Sequence, residues 1–284
     1  MDLLQVIVSG LLLGGVYALF AVGMNLIFGV LRVINLAHGE LIMLGAYATF
    51  FLVDRAGFNP LLTIPVSAVA LFATGLAAER GFIERTVNQP LLASLLLTFG
   101  LSTFLMGGAL SLWTADFRST PYLTGSWGLG SLDLSKIRLV SFVIALAVTA
   151  AAYAFLRYST FGKAIRATAQ HAEVAQVCGI NVGRVRFVTF GLGAAMAAVS
   201  GSLIAMIFTV SPEMGRIYIG RAFAIVVLGG LGSFVGAFVG ALLLGVAETV
   251  AAYYTDTQLA EGVSYAVLVA VLLLRPSGLF GVKE

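Results

Sequence analysis

The chain has 284 residues, 60% of them hydrophobic and 10% charged, with a mean hydropathy of +1.03. A soluble domain is nearer half apolar and a quarter charged, so the composition excludes a single soluble core and points to a polytopic helical membrane protein. The apolar runs are too long and too uniform for a β-barrel, and a net charge of +3 says little about partners, with no nucleic-acid partner expected.

Spanning a hydrocarbon layer of roughly 30 Å takes about 20 helical residues. Candidate spans in chain order are 3–31, 34–53, 60–78, 91–113, 138–156, 187–210, 221–252 and 261–274. The first lysine or arginine is Arg32, so the N-terminal apolar run is expected to be a retained helix and not a cleaved signal. As one helix, 3–31 would measure about 43 Å, too long without tilt or a break, and Gly14, Gly15, Gly23 and Gly29 offer places for a break. Residues 221–252 are long enough for more than one pass, and "GGLGS" (229–233) predicts a short half-helix, a turn and a full helix. The expected fold is an all-α transmembrane bundle of eight or nine spans, with discontinuous or re-entrant helices, forming one transmembrane domain over 1–284.

Charge orients the stack. Residues 157–186 hold Arg157, Lys163, Arg166, Arg184 and Arg186 against one acid, Glu173, which makes this loop cytoplasmic by the positive-inside rule. Counting spans then places 114–137 and the N-terminus outside, and 79–90 and the C-terminus inside. Trp113, Trp127 and Tyr122 suit interfacial belts.

Within "VINLAHGELIMLGAY" (33–47), Asn35, His38 and Glu40 fall inside an apolar run. Only 13 residues separate Glu40 from Asp54 at the far end of the span, about 20 Å of helix. A full span must begin near Ile34, which puts these polar groups inside the slab. A charge near the slab centre costs about 2.5–3.5 kcal/mol and persists where it faces a cavity or a partner. Asn35, His38 and Glu40 are therefore candidates for lining or gating a pathway, with Gly39 marking a helix discontinuity. The competing reading is an interfacial cap, or a local anchor with Arg32.

Residues 162–178 predict a helix ended by Gly179. It suits docking into a cytoplasmic partner, or lying on lipid headgroups. Gly232, Gly236 and Gly240 are spaced for close helix packing, either within the chain or against a partner subunit, while Gly229, Gly230 and Gly232 form a candidate unwound turn beside the pathway. Glu248 is either interfacial, cavity-facing, or paired with Arg216 or Arg221. Glu213, Arg216, Arg221, Asp116 and Arg118 are outer-face charges that are either solvated or dock a partner. The single Cys178 excludes an internal disulfide, and two histidines with one cysteine build no zinc site. No Gly-x4-Gly-Lys-Ser/Thr and no Gly-x-Ser-x-Gly occurs, so an ATPase or hydrolase site is not expected here. An ion-coupled secondary transporter is a second function class, separated by the 157–186 loop, which such a carrier does not need. An intramembrane enzyme using His38 and Glu40 lacks a nucleophile.

Six stretches carry a resemblance. "EVAQVCG" (173–179) resembles the EAA motif of ABC-importer permeases, matching at Glu173, Ala175 and Gly179, with Val174 in place of an alanine. "INLAHGE" (34–40), "TFGKAIRA…GINVGRV" (160–185), "SPEMG" (211–215) with "LGGLGSFVGAFVG" (228–240), and "RPSGLFG" (275–281) resemble, in order, the LivH-like branched-chain amino acid permease family. That resemblance implies a multi-pass subunit of the bacterial inner (plasma) membrane with no cofactor of its own. It implies a second, LivM-like permease, two cytoplasmic ATP-binding subunits and an extracytoplasmic substrate-binding protein. Glu173, Ala175, Gly179 and Arg166 would contact the ATPase. The implied substrates are leucine, isoleucine and valine, with urea, amides or other amino acids as the alternative.

Overall fold

The computed structural model describes residues 3–87, 89–129, 132–275 and 277–281. These form α1 (Leu3–Leu31), α2 (His38–Ala56), α3 (Pro60–Gly81), a 3-10 turn (Ile83–Thr86), α4 (Leu91–Trp113), strands β1 (Ser126–Leu129) and β2 (Leu132–Ser135), α5 (Lys136–Tyr158), α6 (Thr160–Gln170), α7 (Ala172–Val177), α8 (Val182–Ile207), α9 (Met214–Gly229), α10 (Phe234–Tyr254) and α11 (Thr257–Leu274). Among the described residues, α1, α3, α4, α5, α8 and α10 are long and apolar enough to cross a membrane.

α1 is one unbroken helix of 29 residues, so of the two alternatives for its length the break is not taken. Its glycines are contact points instead of break points. A Cβ at Gly14 would meet the Ala241 carbonyl oxygen of α10 at 2.8 Å, and one at Gly23 would meet the Gly193 oxygen of α8 at 3.0 Å. Gly15 lies against the Phe142 ring of α5. Each glycine costs a helix about 1 kcal/mol of propensity, which close backbone packing on several sides offsets. α1 is apolar all round, the signature of a central helix, and 78% of its most apolar window is buried, against 11% for α4. The core therefore runs along α1 and α8, with α10, α9, α5, α2 and α3 packed around them. α4 lies at the periphery, with Leu92, Phe99, Phe104 and Leu112 exposed.

The chain leaves the helix only after α1. Arg32 has a φ of +53°, and the chain runs non-helically to Ala37. α2 thus starts at His38, four residues later than a full span from Ile34 requires. The α3 start follows the sequence closely: the Asn59 side chain accepts from the Leu61 N–H at 3.0 Å and Pro60 opens the helix. The segment 114–137 also departs from an all-helical reading. β1 and β2 pair antiparallel there, with Trp127 opposite Leu134. Gln5 at the start of α1 donates to the Asp133 carbonyl at 3.1 Å and ties this hairpin to the bundle. An isolated bridge between Arg118 and Val210 joins the two neighbouring connections.

Candidate translocation site and coupling surface

The segment between α1 and α2 folds back beside α1. His38 Nε2 lies 3.0 Å from the Phe20 carbonyl oxygen, about 16 Å of helix before the end of α1. A carbonyl only accepts, so Nε2 carries the proton in this bond. The non-helical backbone is served locally. Thr98 of α4 donates to the Ile34 carbonyl at 2.9 Å and accepts from the Leu36 N–H at 3.2 Å. Asn35 Oδ1 accepts from the Ala37 N–H at 3.1 Å. Such backbone is tolerated at membrane depth only where protein or water surrounds it.

Asn35, His38 and Glu40 are each at most 2% exposed. Ser102 donates to Glu40 Oε1 at 3.1 Å. Asn35 Nδ2, His38 Nδ1 and Glu40 Oε2 have no partner among the described residues. Three buried side chains therefore keep unused hydrogen-bonding capacity in one short stretch, an expensive arrangement unless water, ligand or another conformation uses it. Arg32 is exposed and forms no ion pair with Glu40 among the described residues, so the local anchor is not made. Gly39 allows the approach of α9, since a Cβ there would run into the Gly215 carbonyl, and Gly215 in turn admits the Glu40 carboxyl group.

The second irregular point is the turn between α9 and α10. Gly230 (φ +102°) and Gly232 (φ +80°) adopt conformations that side chains rarely take. Asn25 of α1 clamps the turn: its Nδ2 donates to the Ser233 carbonyl at 2.7 Å and more weakly to the Gly230 carbonyl at 3.4 Å, while its Oδ1 accepts the Gly232 N–H at 2.6 Å. The Leu279 and Phe280 N–H groups donate to the Leu228 and Gly229 carbonyls at 2.8 and 3.1 Å, so the C-terminal segment closes over the end of α9. The expected glycine packing stripe is corrected at one position. Gly236 and Gly240 pack against Gly229 and Ile225 of α9, whereas a Cβ on Gly232 would meet nothing within 4 Å. Gly232 is a turn residue, and Gly229 belongs with the packing pair.

The basic connection does not form the single helix 162–178. α6 ends at Gln170, His171 is extended, and the six-residue α7 follows. Ser159 caps α6 by accepting the Gly162 N–H at 2.8 Å, and Gly162 sits against the Phe155 and Leu156 backbone. Gly179 ends α7 as expected, with a φ of +84° and its N–H donating to the Gln176 carbonyl at 3.0 Å. Ala175 is buried and anchors α7, while Glu173, Val174, Val177 and Cys178 are exposed. Arg166, on α6, is exposed as well. It donates to the Arg157 carbonyl at 3.3 Å and lines a cavity of about 460 Å³ with Asn25, Gly29, Tyr153, Arg157 and Gly232.

A third cluster joins α1, α9, α10 and α11. Arg221 Nε donates to both Glu248 oxygens, at 2.9 and 3.2 Å. The Tyr17 hydroxyl donates to Glu248 Oε2 at 2.9 Å, and Ser264 donates to Oε1. The Arg221 guanidinium lies over the Tyr218 and Tyr17 rings, 5.3 and 5.6 Å from their centroids. Of the readings open for Glu248, the structure shows pairing with Arg221 at the wall of a cavity.

Residues 6–272 match the family model described as "Branched-chain amino acid transport system / permease component". The chain belongs to this permease family. It is 35% identical to the high-affinity branched-chain amino acid transport system permease protein LivH of Salmonella typhimurium, covering 99% of this chain and 96% of that protein. It is 33% identical to the corresponding permease BraD of Pseudomonas aeruginosa, again over 99% of this chain and 96% of the relative. A solved structure described as a metal-chelate-type ABC transporter in an inward-facing conformation superposes with a TM-score of 0.51 at 20% identity, covering 96% of this chain and 87% of that one. That likeness concerns the fold.

The permease chain holds functional candidates that sequence reasoning passed over. Asn25 carried a usable signal, an amide deep inside a 29-residue apolar helix. Tyr17, Ser102 and Ser264 carried none, because hydroxyl residues are common in membrane helices and their partners lie far away in sequence. The discontinuity at 32–37 was legible from the polar residues around it, though its position was not.

Proposed function

We propose that this permease is one half of the translocation unit of an ABC importer for branched-chain amino acids in the bacterial inner membrane. On this reading it pairs with a second, LivM-like permease, two cytoplasmic ATP-binding subunits and an extracytoplasmic substrate-binding protein. The ATP site lies in the partners, and this chain transduces their closure. The N-terminus lies outside and the C-terminus inside, with α2, α9 and α11 completing nine spans. The family match over 6–272 carries this reading.

In this account the exposed face of α7, presenting Glu173, Val174 and Val177, enters a cleft on an ATP-binding subunit. The short helix is anchored beneath by Ala175 and stopped by Gly179. Arg166, exposed on α6 at the rim of the 460 Å³ cavity, joins the same contact. Asn35, His38 and Glu40 act as a gate whose spare polar atoms find partners when the bundle changes conformation, and the Gly230–Gly232 turn is the second moving part. Cys178 is exposed and is the only cysteine of the chain, so it is a ready-made probe. A thiol-directed bifunctional reagent applied to the co-expressed complex is expected to join Cys178 to an ATP-binding subunit, with less product when nucleotide changes the contact. A complex that contains the ATPase yet gives product only with lipid would return the α6–α7 segment to a membrane-surface role.

A further inference from the structure

Beyond the coupling surface and the gate lies a cavity of about 350 Å³ between α1, α5, α9, α10 and α11, at the end of the bundle where the 114–135 and 208–213 connections meet. Arg138, Arg221, Glu248 and Glu261 line it, together with Leu13, Phe117, Phe208, Met214, Ile217 and Tyr218. The volume falls in the range of small-molecule sites, which pair an apolar lining with a few fixed charges. The four charges are not equivalent. Glu248 is saturated by Arg221, Tyr17 and Ser264 and is 5% exposed, so it is a fixed internal counter-ion. Glu261 is only loosely held, with Arg221 Nη2 at 3.6 Å and 45% of its side chain exposed. Arg138 makes no ion pair among the described residues. One available carboxylate and one available guanidinium therefore face a largely apolar cavity.

We infer that this cavity is a binding site for a zwitterionic amino acid with an aliphatic side chain, received on the outer face before it passes inward. Arg138 takes the α-carboxylate as a planar fork. Glu261 takes the α-ammonium group. Phe117, Phe208, Met214 and Ile217 take the side chain. A neutral amide such as urea would leave both charges unanswered and fill little of the apolar lining, so the cavity discriminates against it. The inference rests on the amino acid importer reading and adds a site within the permease itself.

The test uses the whole complex in nanodiscs without its binding protein. Saturation-transfer NMR follows the leucine methyl resonances, with 4-methylpentanoate (no ammonium group), isopentylamine (no carboxylate) and urea as comparison ligands. Leucine is expected to bind with at least tenfold higher affinity than any of the three. Arg138→Gln is expected to weaken leucine about tenfold while leaving isopentylamine nearly unchanged, and Arg138→Lys restores part of the loss. Glu261→Gln is expected to weaken leucine similarly and spare 4-methylpentanoate. Unchanged leucine affinity in both variants, in complexes whose ATPase activity matches the parent, overturns the site and leaves the importer reading standing. Equal weakening of all ligands by both variants also overturns it, since that pattern belongs to a structural role. A parent complex that hydrolyses ATP in response to a binding protein loaded with a different solute, and gives no leucine signal, overturns the substrate reading as well.

Discussion

Replacing Asn25 by alanine removes the clamp on the α9–α10 turn. Two well-formed hydrogen bonds are lost, to the Ser233 carbonyl at 2.7 Å and from the Gly232 N–H at 2.6 Å, with a weaker one to Gly230. Polar side-chain bonds within membranes average about 0.6 kcal/mol and reach about 1.7 kcal/mol, whereas a buried backbone group left unpaired costs about 1–3 kcal/mol. Asn25 is 2% exposed but borders the 460 Å³ cavity, from which water can reach part of the turn. The expected loss is therefore about 1–3 kcal/mol in total, read from unfolding of the purified complex in mixed micelles titrated with SDS. Asn25→Asp is the informative companion. It keeps an acceptor for the Gly232 N–H but turns a second oxygen toward two carbonyls, so it should be no better than alanine. An alanine variant within about 0.5 kcal/mol of the parent, well below the loss expected for two buried bonds, would refute the clamp. Rescue by aspartate would confine it to the single Gly232 bond.

Gly232→Ala should cost about 1–2 kcal/mol through its left-handed backbone alone, and Gly232→Asn should recover part of that, because asparagine tolerates such a φ. Gly236→Ala should cost about 1–3 kcal/mol by forcing α9 and α10 apart, with no recovery by asparagine; the same unfolding titration separates the two patterns. Gly179→Pro removes an N–H that bonds Gln176 and forbids a φ of +84°, and Glu173→Lys reverses the charge of the exposed α7 face. Both are expected to uncouple ATP hydrolysis from uptake while the chain still inserts, and normal uptake in both would remove α7 from the coupling path. Glu40→Gln keeps the shape and the Ser102 contact but loses the charge. It should lower initial uptake severalfold with expression within twofold of the parent, and equal losses of each would favour a structural role.

Much of the bundle follows from apolar run length, as α3 and α4 illustrate, and the turn at 230–233 is announced by its glycines. Local chemistry also marks the end of α7 at Gly179. The rest depends on partners distant in sequence. Whether Gly14 and Gly23 interrupt α1 or pack it is decided by Ala241 and Gly193, more than 150 residues away. The start of α2 at His38 depends on Thr98 accepting and donating along 34–36, which relieves the chain of any need to be helical there. The β1–β2 hairpin is too short to show an alternating pattern and is held by Gln5. The Arg221–Glu248 pair was one of several pairings compatible with the sequence, and Tyr17 and Ser264 select it.

The most direct measurement is ATP hydrolysis by the reconstituted complex, with its binding protein added empty, loaded with leucine, or presented with urea. The account predicts that the leucine-loaded binding protein raises the rate several-fold and drives uptake, with urea indistinguishable from the empty protein. Stimulation by urea alone would contradict the substrate assignment, and leucine uptake by the lone chain without any ATPase would contradict the importer assignment itself.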